Sequence, residues 1–115
     1  NGAPYNLEKV NLPRLLNAPD GIKTINKQTL IVVENKGSLT TIKLNDPIEL
    51  SVIRENLDTP TTVAIKNNTA WVLEAQFGHL FGEDKNIPPD KFKIIGVKLE
   101  TSLLTSLKNL LNIFQ

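Results

Sequence analysis

A repeat of about forty residues, short apolar runs set between turn residues, and no helical period before residue 100 predict an all-β fold. The expected architecture is two four-stranded antiparallel β-propeller blades, part of a larger propeller, followed by a C-terminal amphipathic helix. Residues 1–15 are expected to carry the outer strand of a preceding blade and its connection, residues 16–56 one blade, residues 57–99 the next, and residues 100–115 a helical tail.

The repeat has two anchors. Leu16-Asn17-Ala18-Pro19-Asp20-Gly21-Ile22 matches Leu57-Asp58-Thr59-Pro60-Thr61-Thr62-Val63 at an offset of about 41 residues, and Thr29-Leu30-Ile31-Val32-Val33-Glu34 matches Thr69-Ala70-Trp71-Val72-Leu73-Glu74 at about 40. The one-residue slip is expected in the intervening turn, where insertions are cheapest.

The elements follow in order. An outer strand is expected over residues 7–12. In the first blade, residues 21–25 form a strand, Asn26-Lys27-Gln28 turns the chain, and residues 30–34 form a β-branched run suited to burial on both faces. Asn35-Lys36-Gly37 is the next turn, residues 38–44 alternate, Asn45-Asp46-Pro47 turns the chain again, and residues 48–54 make a fourth, half-solvated strand. The second blade is expected to use residues 62–65, 70–74, a short 79–81 and 92–99. Beyond it, Leu103, Leu104, Leu107, Leu110, Leu111 and Phe114 recur at helical spacing, with Thr101 or Ser102 available as a cap. That helix either packs back on the sheets or meets a partner. Its single lysine on the polar face, Lys108, is too little charge for a membrane-surface anchor.

Composition narrows the function classes. A net charge of +1 with scattered lysines lacks the basic patch that nucleic acid or an anionic membrane requires. With no cysteine there is no disulfide framework, thiolate metal site or cysteine nucleophile, and no redox compartment can be inferred. No apolar run reaches membrane-spanning length and no signal peptide opens the chain, so a soluble protein is expected. The start at Asn1, the orphan outer strand and the terminal helix lead to the expectation of a C-terminal piece of a longer domain. Asn67-Asn68-Thr69 matches the glycosylation triplet, a pattern common by chance.

The two anchors, together with Val63-Ala64-Ile65 and Trp71-Val72-Leu73-Glu74, resemble the six-bladed propellers of the gluconolactonase/regucalcin-like (senescence-marker-protein-like, SMP-30-like) family over residues 16–99. The resemblance implies a metal-dependent sugar-lactone hydrolase when the propeller is intact. It makes Asp20 a channel-facing ligand to a divalent metal, calcium or zinc, with the remaining ligands supplied by earlier blades. The metal would polarise the lactone carbonyl and help activate water. Thr61 and Thr62 stand at the matching start of the second blade as candidates to line the same channel. Asp20 also has a local reading, as a turn residue beside a glycine.

The alternative is a non-catalytic propeller scaffold, including a lectin-like ring assembled from two-blade subunits. Partners are then the remaining blades or further copies of the chain, with a small sugar as ligand. Glu74, Gln76 and His79 cluster in sequence, but a lone histidine after a strand is more often hydrogen-bonded structure than a general base. Trp71, in an apolar strand, is expected in the core rather than as a sugar-stacking platform. No catalytic residue is assigned.

Overall fold

The computed structural model describes residues 6–100, and the expected helix over residues 100–115 lies almost wholly outside them. The described chain is all-β, with two antiparallel sheets of four and three strands. The first sheet comprises β1 (Pro19–Asn26), β2 (Thr29–Glu34), β3 (Ser38–Lys43) and β4 (Glu49–Arg54), hydrogen-bonded in that order. The second comprises β5 (Pro60–Lys66), β6 (Thr69–Glu74) and β7 (Lys93–Lys98).

The strands form where β-branched residues gather and stop where backbone special to turns is needed. In β2, Ile31, Val32, Val33 and Glu34 are all buried, as a continuous run covered on both faces must be. At the β2–β3 turn Gly37 takes φ +130, a value that side chains with a Cβ rarely adopt. Its carbonyl accepts a hydrogen bond from Leu57 N–H at 3.0 Å, so the connection leaving β4 crosses this turn on its way to β5. That crossing sets β5 beside β1 rather than beside β4. At the approach, a Cβ on Gly21 would sit 2.9 Å from the Thr62 Cα and 3.0 Å from the Thr61 carbonyl oxygen.

The core lies between the sheets. Ile31, Val33 and Leu39 of the first sheet meet Val63, Ala70, Val72 and Val97 of the second, and Leu57 and Leu99 close the cluster. The opposite face of the first sheet buries Val32, Thr40, Ile42 and Glu34.

The repeat is visible in the register. β1 pairs with β2 through bulges between Pro19 and Ile22 and between Thr24 and Asn26, whereas β5 pairs with β6 through one bulge, between Pro60 and Thr62. The first bulge is common to both sheets. The second, at Ile25, absorbs the one-residue slip, so the slip sits at the end of the strand rather than in the turn. Ala18 and Thr59, at φ 55 and 50, enter the two sheets through the same left-handed residue. Asn35 N–H donates to the Ala18 carbonyl at 2.8 Å, and Ala75 N–H donates to the Thr59 carbonyl at 2.9 Å.

Three further expectations change. Residues 7–12 run outside any sheet, so no outer strand precedes β1 among the described residues. Residues 79–81 are not a strand: Phe77–His79 is a turn of 3-10 helix, and Leu80 and Phe81 continue as turn. The β-branched segment Ile94, Ile95 and Val97 takes the place beside β6 instead, which leaves three strands in the second sheet. Finally, Trp71 is 42% exposed, its ring lying over Gly96 at a distance that leaves no room for a Cβ.

Candidate functional site

The candidate site residues gather at the sheet end where β1 and β5 begin. Asp20 is exposed at the start of β1. The Asn35 side chain, at the end of the β2 ladder, donates to Asp20 Oδ2 at 3.3 Å and to the Pro60 carbonyl at 2.6 Å. One amide therefore bridges the first strands of the two sheets and holds the carboxylate beside the junction. Thr61 is half-buried and Thr62 exposed, their backbone packed on Gly21. Asp20 brings one carboxylate to this edge. Among the described residues no group of three metal-binding side chains occurs, so a metal held here would need ligands from outside them.

A second polar feature lies close by, and its one signal in the sequence is the recurrence of Glu34 as Glu74. Glu34 ends β2 with its side chain fully buried, and every oxygen is engaged. Arg14 forms a two-pronged bond to it at 2.8 and 3.0 Å, Asn17 N–H donates at 2.6 Å, and the Thr40 hydroxyl donates to the second oxygen. The Arg14 hydrogen bonds are the largest cause that pulls the Glu34 carboxyl down to about 2, against the opposing effect of burial, with Thr40, Asn17 and the Arg14 charge adding to it. The same bonds raise Arg14. A carboxylate so satisfied is fixed in the charged state and has no free lone pair for a ligand, so its role is to clasp the segment before β1 onto the end of β2.

The repeat supplies a counterpart. Glu74 occupies the position of Glu34, and its Oε2 accepts from Asp58 N–H at 2.6 Å, as Glu34 does from Asn17. The rest of the clasp differs. Glu55 stands where the first repeat has Arg14, and Ile95 stands beside β6 where Thr40 stands beside β2.

The connection after Glu74 is also different. A three-residue turn joins β2 to β3, whereas residues 75–92 join β6 to β7. Gln76, buried and at φ 52, pins the two legs of this excursion: its amide nitrogen donates to the Asp90 carbonyl at 3.0 Å, and its oxygen accepts from Asp90 N–H at 2.9 Å. His79 Nδ1 lies 2.7 Å from the Ile87 carbonyl, and Phe77 N–H donates to the Thr59 hydroxyl at 3.3 Å. Glu74, Gln76 and His79 thus each hold a separate backbone segment and do not converge on a common point, which removes the arrangement a general base would need.

Comparison with protein-family models, with curated proteins and with solved structures returns no match. No helix among the described residues is long and apolar enough to cross a membrane.

Proposed function

We propose that the two sheets are consecutive blades of a β-propeller and that the chain serves as a non-catalytic binding scaffold, its stack continued by a further sheet from remaining blades or another copy. One observation carries this reading. By the repeat and the strand register, Trp71, Leu73 and Ile94 are the counterparts of Ile31, Val33 and Leu39. The first-sheet trio is 0% exposed beneath the second sheet, whereas Trp71 is 42% and Ile94 65% exposed. The sheets therefore stack head to tail, and the open face of the second has the pattern that a sheet covers in the first. The crossing from β4 to a β5 placed beside β1 supports the same reading, as blades are linked from outer to inner strand. So does the groove of about 500 Å³ between β4 and the end of β7, bordered by Ser51, Ile53 and Leu99, where a fourth strand of the second sheet would lie.

Trp71 is the single tryptophan of the chain, so its emission reports whether that face is covered. The expected result is a blue shift, with rising mass in light scattering, as the chain is concentrated or joined to further blades. Ile94→Lys should oppose both. If Ile94→Lys altered neither the mass of the chain nor the melting temperature of the longest polypeptide carrying it, the scaffold reading would fail.

A second reading is the metal-dependent sugar-lactone hydrolase, favoured by the exposed Asp20 carboxylate at the junction of the first strands, beside the Asn35 amide. Calcium and zinc titrations of the intact propeller should weaken on Asp20→Ala, and an unchanged affinity removes Asp20 from any site.

A further inference from the structure

We propose that the cleft at the base of the 75–92 excursion binds a small, uncharged aromatic hydrogen-bond donor of the indole or phenol class. The proposal is independent of the blade reading, because the cleft belongs to one loop and needs no further sheet.

The excursion is where the two repeats differ most, and insertions on one end of a repeat are the usual carriers of binding. Its legs are fixed by the pair of hydrogen bonds between the Gln76 side chain and the Asp90 backbone, with Gln76 only 6% exposed, so the walls are held in place before any ligand arrives. Phe77 and Phe81 meet edge to face at 5.5 Å and stiffen the turn between them. The cleft, about 290 Å³, lies between Phe77, His79 and Leu80 on one leg and Pro89 and Phe92 on the other. A cavity of about 150 Å³ takes a benzene ring, so this cleft has room for one ring or two fused rings. Leu80 at 65% and Phe92 at 63% exposure leave apolar surface at its mouth that a flat ring would cover.

Two features select the ligand's chemistry. No Asp, Glu, Lys or Arg lines the cleft, so a charged ligand would be desolvated without a partner. The Gln76 amide is spent on Asp90, which leaves His79 as the polar side chain of the lining able to orient a ligand. A carbonyl oxygen only accepts, so the bond to Ile87 places the proton of the neutral imidazole on Nδ1. Nε2 is then an acceptor, and a ligand meeting it must donate: an indole N–H or a phenol O–H qualifies, whereas their N- or O-methylated forms do not.

The test is a titration of the whole chain with indole and with 1-methylindole, read by amide chemical shifts. Indole should give saturable shifts confined to residues 75–92, and should bind about 3- to 10-fold more tightly than 1-methylindole, the worth of one net hydrogen bond. His79→Phe should erase that preference. Leu80→Arg, at an exposed position, should weaken both compounds, while unchanged shifts in β1–β4 report that each variant is folded. Non-saturating shifts, equal affinity for the two compounds in the unsubstituted chain, or indole binding indifferent to Leu80→Arg would each overturn the proposal.

Discussion

Replacing Glu34 by Gln isolates the charge of the buried clasp while nearly preserving its shape. The amide keeps one acceptor oxygen but turns an NH₂ group toward donors, since Arg14, Asn17 and Thr40 all donate to this side chain. The carboxyl lies at about 2 against an ordinary value of 4.5. At about 1.4 kcal/mol for each tenfold change in proton affinity, that displacement corresponds to roughly 3 kcal/mol of folding stability. Arg14 is 37% exposed, so solvent screening makes this an upper figure. The bonds that raise Arg14 are these same bonds, so they add no further stability.

The sign follows from the direction of the shift. A carboxyl depressed in the folded state binds its proton more readily when unfolded, so the contribution is complete above the ordinary carboxylate range and disappears as pH falls toward 2. The pH-dependent part of the stability lost on Glu34→Gln should therefore be about 3 kcal/mol at pH 7, about 1 at pH 3 and below about 0.5 at pH 2, on top of a pH-independent loss from the NH₂ group that faces donors. Urea unfolding of both chains, followed by far-ultraviolet circular dichroism at the three pH values, gives the difference directly. Titration of the remaining carboxylates is common to both chains and cancels. A gap of constant size from pH 7 to pH 2 would refute the reasoning, because it would assign the loss to packing rather than to charge.

Two other perturbations probe the framework. Gly21→Ala drives a Cβ against the Thr61–Thr62 backbone, which cannot rotate away, so the sheets must part; a loss of about 1–3 kcal/mol and a melting temperature lower by at least about 4 °C are expected. A melting temperature unchanged within about 1 °C would contradict so close an approach of β1 and β5. Gln76→Ala removes both bonds to Asp90, and amide exchange in residues 77–92 should accelerate about tenfold or more while β1–β4 keep their protection. Unaltered exchange in that segment would mean that the legs are held by something other than Gln76.

The sequence carried the strands best where burial alone decides them. Residues 30–34 announce β2 because every position is β-branched, apolar or, at Glu34, repeated, and β3 and β4 are delimited by clear turns, although in β3 the expected alternation gives way to burial on both faces, with Leu39, Thr40, Thr41 and Ile42 all covered. The segment after Glu74 was illegible for a local reason. His79, Leu80 and Phe81 form a short apolar run of the kind that fits a strand, but Gly78 and Gly82 flank it and the Phe77–His79 turn removes it from any ladder. What decides is competition for the edge of β6, which Ile94, Ile95 and Val97 win with a full six-residue pairing. Periodicity measures the fitness of each segment alone and not which of two segments gains the edge. Trp71 was misplaced for a related reason: its strand neighbours announce burial, but burial needs a covering sheet, and its own face has none among the described residues.

The polar contacts show how one repeat pattern supports two local outcomes. Asn17 and Asp58 present the same backbone N–H to Glu34 and Glu74, so the carboxylate at the end of the second strand belongs to the shared framework. In the first sheet Arg14 and Thr40 complete the shell, and the segment before β1 is tied down by charge. In the second, Glu55 in place of Arg14 forbids that lock, because two carboxylates cannot replace an ion pair, and Ile95 in place of Thr40 withdraws the hydroxyl. The end of β6 is left with one backbone bond to its carboxylate. From there the chain departs into the 75–92 excursion, which is held by the uncharged Gln76 clamp instead. The first sheet end is thus closed by a salt-bridged clasp, and the second is opened into a preformed apolar cleft. The divergence between the repeats is concentrated at the sheet end that also carries Asp20 and Asn35.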